Sequence, residues 1–240
     1  LPICMELGNE FFKKFGVIGF HAGNTGTQMG GWFRKEIKTV ADLSGLKFRI
    51  GGIAGQVLQK LGVVPQQIAG GDIYPALEKG TIDAAEWIGP YDDEKLGFYK
   101  IAKNYYYPGW WEPCSMYHVM INLAKWESLP KAYQEAMISA ARETNLDMVA
   151  EYDAKNRQAL IRLKAAGVQF HKFSDDIMQG SYKAASAMYD EESAKNPKFK
   201  KIYEPWKKFR DEEILWFRVA EQNFDNFMSF VSQQAGSAKK

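Results

Sequence analysis

The chain has 240 residues, of which 46% are hydrophobic and 14% aromatic, and its 31 basic and 29 acidic side chains give a formal net charge of +2. This composition excludes an intrinsically disordered chain, which lacks the apolar surface needed to fold. No run approaches the ~18 consecutive apolar residues of a transmembrane helix. Because phosphate contacts need clustered Lys and Arg, the near-neutral charge also argues against a nucleic-acid-binding protein.

Neither the N-terminus nor the cysteines indicate a cellular compartment. The chain begins with Leu1 and lacks an initiator Met, so we expect that a targeting segment has been removed or left out of this sequence. Cys4 and Cys114 are far apart in the sequence, which is typical neither of a disulfide framework nor of a metal site. We therefore predict two buried thiols, the usual environment of a free cysteine.

The first half of the chain alternates short strands with helices. Apolar or alternating patterns predict strands over 17–20, 46–50, 63–68 and 82–88. A helix is predicted around 57–61, with its end at Gly62, and another over 72–80. Strand, helix and strand at these intervals predict an α/β fold with a mainly parallel sheet and helices on its faces.

The second half is mostly helical. No proline or glycine occurs between Pro130 and Gly167, and a helix of that length would extend about 55 Å, so we expect it to span two lobes or to kink. A strand is predicted over 168–173, and two more helices follow, the last from about Pro205 to Val231. The many aromatic residues of this last helix predict that it packs across the body of the protein or against a partner chain.

The common catalytic and zinc-binding motifs are absent from the sequence. There is no Gly-x-Ser-x-Gly, and His21, His118 and His171 have no Ser or Cys partner nearby in the sequence, so we interpret them as structural. The motifs His-Glu-x-x-His and Cys-x-x-Cys are also missing. The glycine-rich loop 51–55 fits either a tight turn or an anion held at a helix N-terminus.

Three charged side chains are candidates for a binding site. Arg49 lies near the end of the strand 46–50, where its guanidinium can hold a carboxylate bidentately. Glu86 lies near the end of the strand 82–88, and open α/β sheets bind ligands at the carboxyl ends of their strands. Glu112 follows two tryptophans, so we expect a poorly solvated carboxylate that needs a cation or hydrogen bonds. These groups fit either a site for an anion and a metal or unrelated surface ion pairs.

A long motif in the sequence resembles that of a known family. The run from Gly70 to Trp87, GGDIYPALEKGTIDAAEW, resembles the signature of the extracytoplasmic solute-binding proteins of TRAP transporters. The segments 46–49, 23–34 and 108–112 resemble the branch that binds 2-oxo acids such as pyruvate, or the related lactate, together with a metal ion. The resemblance covers essentially the whole chain. It implies a two-lobed periplasmic binding protein fold with a ligand cleft, hinge strands and one long helix that spans both lobes.

The resemblance also implies roles for individual residues. Arg49 would bind the carboxylate of the ligand, and the other ligand contacts would be Gln28, Trp87 and Asn24. The metal would be held by the side-chain oxygen of Gln28, by Glu86, by the backbone carbonyl of Trp87 and by Glu112. Oxygen ligands of this kind suit a hard cation, Na⁺ or Ca²⁺, better than a transition metal.

The resemblance further implies how the chain is divided. Residues 1–40 would be the remainder of the N-terminal lobe and 41–88 the second lobe, with a return through the hinge over 89–127, the long helix over 128–167 and closing elements over 168–240. A first part of the N-terminal lobe, about a hundred residues, would precede Leu1.

The function implied is transport rather than catalysis. The protein would act in the periplasm, without catalysis, and deliver its ligand to the membrane subunits of a TRAP transporter. The aromatic last helix resembles one through which some family members form a helix-swapped homodimer. The alternatives are a metal-dependent lyase or aldolase that acts on 2-oxo acids, the binding of lactate or another small organic acid, and a sensor domain.

Overall fold

The computed structural model describes the backbone of residues 2–237 and the side chains of residues 5–234. Its eight strands are β1 (Val17–Asn24), β2 (Gly31–Phe33), β3 (Lys47–Arg49), β4 (Val64–Gln66), β5 (Ala84–Ala85), β6 (Asn104–Tyr107), β7 (Met116–Asn122) and β8 (Gln169–Lys172). Its α-helices, within the same residues, are α1 (Pro2–Phe12), α2 (Gly52–Gln59), α3 (Gly70–Glu78), α4 (Pro90–Leu96), α5 (Leu123–Ser128), α6 (Lys131–Ala165), α7 (Asp175–Lys195), α8 (Pro197–Val219) and α9 (Glu221–Ser237). Short 3₁₀ turns lie at Lys13–Phe15, Val40–Leu43 and Phe98–Lys100.

The central sheet has six strands in the order β4-β3-β5-β2-β6-β8. Strand β3 is parallel to β4 and to β5, and α2 and α3 make the crossovers between these three strands. Strand β2, by contrast, is antiparallel to both of its neighbours. Strand β8 is parallel to β6, so three of the five neighbouring pairs are parallel, as the prediction of a mainly parallel sheet requires, and β2 is the antiparallel exception.

A second, two-stranded sheet is formed by β1 and β7, which are antiparallel. His21 lies opposite His118 in this pair, and the centroids of the two rings are 4.4 Å apart in an edge-to-face contact. Burial and the neighbouring His118 lower the pKa of His21. Both rings therefore pack against each other between the strands.

Strand β5 is shorter than the predicted strand 82–88. The backbone N–H of Glu86 still donates to the Arg49 carbonyl at 3.2 Å, but the N–H of Ile88 donates to the side chain of Asp93 at 3.1 Å. The chain therefore leaves the sheet after Ala85, because a side chain of α4 replaces the neighbouring strand as the hydrogen-bond acceptor.

Helix α6 confirms the predicted long helix. It runs for 35 residues without a break, and Gly167, just after its end, has a φ of +84°, the left-handed conformation that favours glycine at a helix terminus. Its buried residues are Ala141, Ala159 and Leu163, whereas Tyr133 near its start is exposed. Two of the three buried residues, Ala159 and Leu163, thus lie in the second half of the helix.

The prediction of one last helix from Pro205 to Val231 is wrong. The segment forms two helices, α8 and α9, and Pro205 lies inside the first of them. Helix α8 starts earlier because the side chain of Asn196 accepts hydrogen bonds from the first backbone N–H groups. It ends at Val219 because the Asn223 side chain donates to the carbonyls of Arg218 and Val219.

The chain forms two compact units, Leu1–Met188 and Tyr189–Lys240. In the first unit, two hydrophobic clusters pack on the six-stranded sheet, one around Phe33 and Phe48 and one around Trp32 and Tyr105. In the second unit, many large apolar side chains are exposed, among them Phe209, Leu215, Trp216, Phe224, Phe227 and Phe230. The described part of the chain therefore leaves uncovered the aromatic surface for which we predicted a packing partner.

No helix within residues 2–237 combines the length and the apolar composition needed to cross a membrane.

The environment of Cys114 differs from the prediction. Cys114 is exposed, so the prediction of a buried thiol is wrong at this position, because Cys114 lies in the surface loop between β6 and β7. The side chain of Cys4 lies outside the described residues.

Candidate functional site

Arg49 and Glu86 meet at the carboxyl ends of two parallel strands. Arg49 is the last residue of β3 and lies in register with Ala85, the last residue of β5. The Nη1 group of Arg49 donates to the Glu86 backbone carbonyl at 2.8 Å and to the Glu86 carboxylate, and Nε donates to the Ile68 carbonyl at 3.2 Å. Within the described residues, Nη2 donates to no acceptor. The guanidinium is therefore held rigidly and keeps one free nitrogen.

Glu86 is a buried carboxylate with more negative than positive charge around it. Its side chain is 8% exposed, and that of Arg49 is 20% exposed. Burial raises the pKa of Glu86 to about 8; the Arg49 guanidinium opposes this shift, whereas the nearby Glu112 and Asp93 add to it. Arg49 therefore offsets only part of the desolvation of this carboxylate, and a second cation beside Glu86 would stabilise its charged form.

A second group of polar residues surrounds Gln28, which is buried. The side-chain amide of Gln28 lies 3.0 Å from the hydroxyl of Thr25 and 2.9 Å from the hydroxyl of Ser115. The Ser115 hydroxyl in turn donates to the Glu112 carboxylate, and the Thr25 hydroxyl donates to the Gly26 carbonyl at 3.1 Å. These bonds join the loop that follows β1 to the loop that precedes β7.

The surroundings of Gln28 decide the orientation of its side-chain amide. The amide atom that faces Thr25 and Ser115 lies 3.0 Å from the Thr25 hydroxyl, 2.9 Å from the Ser115 hydroxyl and 3.1 Å from the Ser115 backbone nitrogen. Because a backbone N–H can only donate, the oxygen Oε1 occupies this position, and the nitrogen Nε2 donates to the backbone carbonyl of Glu112 at 3.3 Å.

Oxygen atoms of Glu86, Gln28 and Glu112 are candidates to hold a cation. Hard cations prefer carboxylate, amide and carbonyl oxygens, and Glu86 is a buried carboxylate whose desolvation Arg49 offsets only in part. The residues present thus fit a hard cation. Within residues 5–234, no three His, Cys, Asp or Glu side chains come close enough to hold a metal.

Trp87 and Asn24 lie next to these groups. The indole of Trp87 packs under the Arg49 guanidinium, 5.1 Å from its centre. A Cβ atom at Gly70 would lie 2.8 Å from the Trp87 ring, so only glycine leaves room for this indole. Asn24 ends β1, and its side chain accepts from the Gly26 N–H at 2.8 Å, which shapes the loop that leads to Gln28. The binding roles of all these residues remain predictions.

The environment of Glu112 differs from the prediction. The sequence predicts poor solvation beside the two tryptophans, but Glu112 is exposed. The tryptophans turn the other way: Trp111 packs against Phe48 and Phe173, with ring centroids 5.3 and 5.2 Å apart. The exposed Glu112 carboxylate accepts a hydrogen bond from the Ser115 hydroxyl at the edge of the site.

Sequence reasoning missed Asp93, the most buried acid near the site. Its Oδ2 accepts from the Trp32 indole and the Tyr105 hydroxyl, both at 2.8 Å, and its Oδ1 accepts from the Ile88 N–H at 3.1 Å. Burial raises the pKa of Asp93 to about 6, although these three bonds oppose the shift. An acid in the first turn of a helix is usually an exposed dipole partner, so the sequence carried no signal of this role.

Arg49 lines a pocket. Its volume is about 340 Å³, and it is lined by Arg49, Gly51, Gln66, Gln67, Ile68 and Ala69. Pockets that hold small molecules start at roughly 300 Å³. The pocket lies at the carboxyl ends of β3 and β4, which is the edge where open α/β sheets bind their ligands.

Comparison with known proteins identifies relatives over most of the chain. The model of the bacterial extracellular solute-binding protein family 7 matches residues 2–196. The monocarboxylate 2-oxoacid-binding periplasmic protein of Nostoc sp. is 52% identical over 220 residues, which are 92% of this chain and 60% of the relative. This chain thus spans less than two thirds of that relative.

Two solved structures share both fold and sequence with the chain. A TRAP transporter solute-binding protein of Bordetella bronchiseptica is 54% identical with a TM-score of 0.92, and the match covers 96% of this chain and 69% of that one. It was crystallised as a mixed-occupancy dimer with copurified calcium and picolinate. A periplasmic solute-binding protein of Pseudoalteromonas atlantica, with sodium and pyruvate bound, is 39% identical with a TM-score of 0.88, over 92% and 68% of the two chains.

Proposed function

Because the chain belongs to the bacterial extracellular solute-binding protein family 7, we propose that it serves a TRAP transporter in the periplasm. It captures a 2-oxo monocarboxylate such as pyruvate together with Na⁺ or Ca²⁺ and delivers both to the membrane subunits. The relatives from Nostoc sp., Bordetella bronchiseptica and Pseudoalteromonas atlantica support this proposal.

The observation that carries the proposal is the state of Arg49. Three acceptors hold its guanidinium in place, none of them bound by Nη2, and Arg49 lines a pocket. A fixed guanidinium with free N–H groups is suited to bind a small carboxylate. In this proposal Arg49 receives the carboxylate, and Gln28, Asn24 and Trp87 contact the rest of the ligand.

We assign the cation to a group of oxygen atoms near Arg49. Its ligands are the Glu86 carboxylate, Gln28 Oε1, the Trp87 carbonyl and Glu112, and the burial of Glu86 beside a single cation of the described residues, Arg49, supports this assignment. A bound cation supplies the positive charge that the buried Glu86 lacks and attracts the oxygens of the ligand. Na⁺ and Ca²⁺ both prefer such a set of ligands.

The proposed division of the chain follows from the family. Residues 1–40 contribute to the N-terminal lobe, 41–88 to the second lobe, 89–127 to the return through the hinge, 128–167 to the long helix and 168–240 to the closing elements. Closing the lobes on the ligand produces the form that the membrane subunits recognise.

Binding without catalysis agrees with the groups around the site. A lyase or aldolase needs a base beside the carbon that reacts. Within the described residues, no Lys or His forms a hydrogen bond or an ion pair with Arg49, Glu86, Gln28 or Glu112. Release of labelled product from pyruvate by the purified protein would argue for an enzyme instead.

Thermal unfolding of the full-length protein tests the proposal. After chelation, in a buffer free of Na⁺, we expect pyruvate alone to change the melting temperature little, and pyruvate with Ca²⁺ or Na⁺ to raise it by several degrees, because a ligand that binds only the folded state stabilises it. 2-Oxobutyrate should behave like pyruvate, whereas lactate should have a smaller effect.

Succinate is the control in this experiment. It has two carboxylates but no 2-oxo group, so it cannot chelate the cation in the same way. An equal shift with succinate and with pyruvate would show that the ligand is not a 2-oxo acid, and an equal shift with and without chelator would remove the cation.

The second unit supports a homodimer. Its exposed aromatic side chains include Trp216, which is 60% exposed, and Phe227, also 60% exposed, and the Bordetella bronchiseptica relative was crystallised as a dimer. We expect the double variant Trp216→Ser, Phe227→Ser to sediment as a monomer at concentrations where the unchanged protein sediments as a dimer. The matched control is Leu146→Ser, at an exposed apolar residue of α6. A wild type that stays monomeric at all concentrations would contradict the dimer.

A further inference from the structure

Helix α4 begins immediately after the proposed cation ligands and lacks a local cap. Gly89 precedes the helix and has no side chain that could accept its free N–H groups, and the first residue is Pro90. The first available N–H, that of Tyr91, donates at 3.0 Å to the Oδ1 atom of Asn156. Asn156 belongs to α6, so the cap of this helix comes from a different helix.

The two helices approach closely at this point. A Cβ atom at Gly89 would lie 3.2 Å from Asn156 Oδ1, which is tighter than an ordinary contact. Glycine at position 89 therefore allows α6 to come near enough for Asn156 to act as the cap. In the sequence, the only indication of this unusual cap is the glycine before Pro90, at a position where a capping side chain is usual.

Two more side chains of α6 bind α4. The Tyr152 hydroxyl, one helical turn before Asn156, donates to Asp92 at 2.7 Å. At the other end of α4, Arg162 donates to both carboxylate oxygens of Glu94, at 2.8 and 2.6 Å. Helix α4 is thus attached to α6 at both ends, and the attachment through Asn156 is the one beside the site.

Helix α4 is attached in turn to the segment that carries Glu86 and Trp87. Asp93 accepts from the Ile88 N–H at 3.1 Å, and the Ile88 carbonyl accepts from the Met29 N–H at 3.0 Å. Only Ile88 and Gly89 separate Trp87 from the start of α4. A displacement of the first turn of α4 would therefore move the Trp87 carbonyl and the Glu86 carboxylate.

We propose that Asn156 is a positioning residue for the cation: by capping α4 from α6, it sets the place of the two oxygen ligands at Glu86 and Trp87. This inference rests on the proposed function, in which these oxygens bind Na⁺ or Ca²⁺. Because the long helix provides the cap, the geometry of the cation site depends on α6, although Asn156 does not contact the ligand.

The test measures affinity and stability separately in the full-length protein. We expect Asn156→Ala to weaken the binding of Ca²⁺ with pyruvate about tenfold by calorimetry, the order of magnitude of one lost cap. Asn156→Ser, whose short side chain does not reach Tyr91, should show the same loss. Asn156→Asp keeps the acceptor and should bind within about threefold of the wild type.

Two control variants separate positioning from a purely structural role. Arg162→Ala removes the attachment at the far end of α4 and should lower the melting temperature without changing the affinity for Ca²⁺ with pyruvate. Gln158→Ala, at an exposed amide of the same helix, should change neither quantity.

The outcomes are distinct. An unchanged affinity in Asn156→Ala and Asn156→Ser, alongside normal binding by the wild type, would overturn the positioning role and leave the proposed function intact. A loss of affinity in Arg162→Ala as large as that in Asn156→Ala would also overturn it. A wild type without any Ca²⁺-dependent binding of pyruvate would overturn both.

Discussion

Arg49→Lys in the full-length protein is expected to weaken the binding of pyruvate at least about 100-fold, since charge-assisted hydrogen bonds contribute roughly 1.5–3 kcal/mol each and 1.4 kcal/mol is a factor of ten. A lysine keeps the positive charge beside Glu86, so the fold should survive. It cannot, however, donate to the Glu86 carboxylate, to the Ile68 carbonyl and to a ligand from one rigid plane as the guanidinium can. Calorimetric titration with pyruvate in the presence of Ca²⁺ measures the effect.

The choice of lysine instead of alanine makes the result interpretable. Arg49→Ala would leave the buried Glu86 carboxylate without its partner, which typically costs about 3–5 kcal/mol of stability. Arg157→Lys, at an exposed residue of α6, is the matched control and should bind as the wild type does. Undiminished affinity in Arg49→Lys would mean that another cation receives the carboxylate.

Glu86→Gln is expected to weaken the affinity for Ca²⁺ about 100-fold and to abolish the effect of Ca²⁺ on pyruvate binding, because the affinity for Ca²⁺ depends strongly on the number of charged ligands. The glutamine retains one side-chain oxygen in the place of the carboxylate, so Arg49 keeps an acceptor. The melting temperature without ligand should therefore change little. Titration with Ca²⁺ at a fixed concentration of pyruvate measures the loss.

The same substitution at an exposed acid provides the comparison. Glu78, at the end of α3, is exposed, and Glu78→Gln should leave the titration unchanged. Ca²⁺-dependent binding that survives in Glu86→Gln would place the cation elsewhere.

Both predictions concern a pair whose placement the sequence indicated well. Arg49 ends a strand of alternating residues, and Glu86 follows an apolar run, so both were expected at the carboxyl ends of parallel strands. The structure places them in direct contact. Their proximity could be anticipated because successive parallel strands joined by short helices bring the same ends together.

The orientation of Gln28 and the role of Asp93 could not be anticipated in this way. The Gln28 amide is oriented by the Ser115 N–H and the Glu112 carbonyl, which lie in a loop far away in the sequence. Asp93 has the pattern of an exposed acid in the first turn of a helix, yet it accepts hydrogen bonds from β2, from β6 and from the segment after β5. In both cases at least one partner is distant along the chain, so composition and periodicity do not indicate it.

The sequence by itself determined the local structure of this protein. Glycine and proline indicated where α2 and α6 end, and their absence between Pro130 and Gly167 indicated that α6 is uninterrupted. Apolar periodicity indicated β3 and β4. These features depend on the backbone preferences of neighbouring residues and on their common hydrophobic face.

Only the tertiary structure decided which polar groups meet. The cap that Asn156 supplies to α4, the antiparallel place of β2 and the burial of Asp93 all depend on contacts between distant segments. Hydrogen bonds act over about 3 Å, so a polar side chain has no determined partner until the hydrophobic elements have packed. For this reason the sequence indicated Arg49 and Glu86 as site residues, whereas the residues that hold the site in shape were found only in the folded chain.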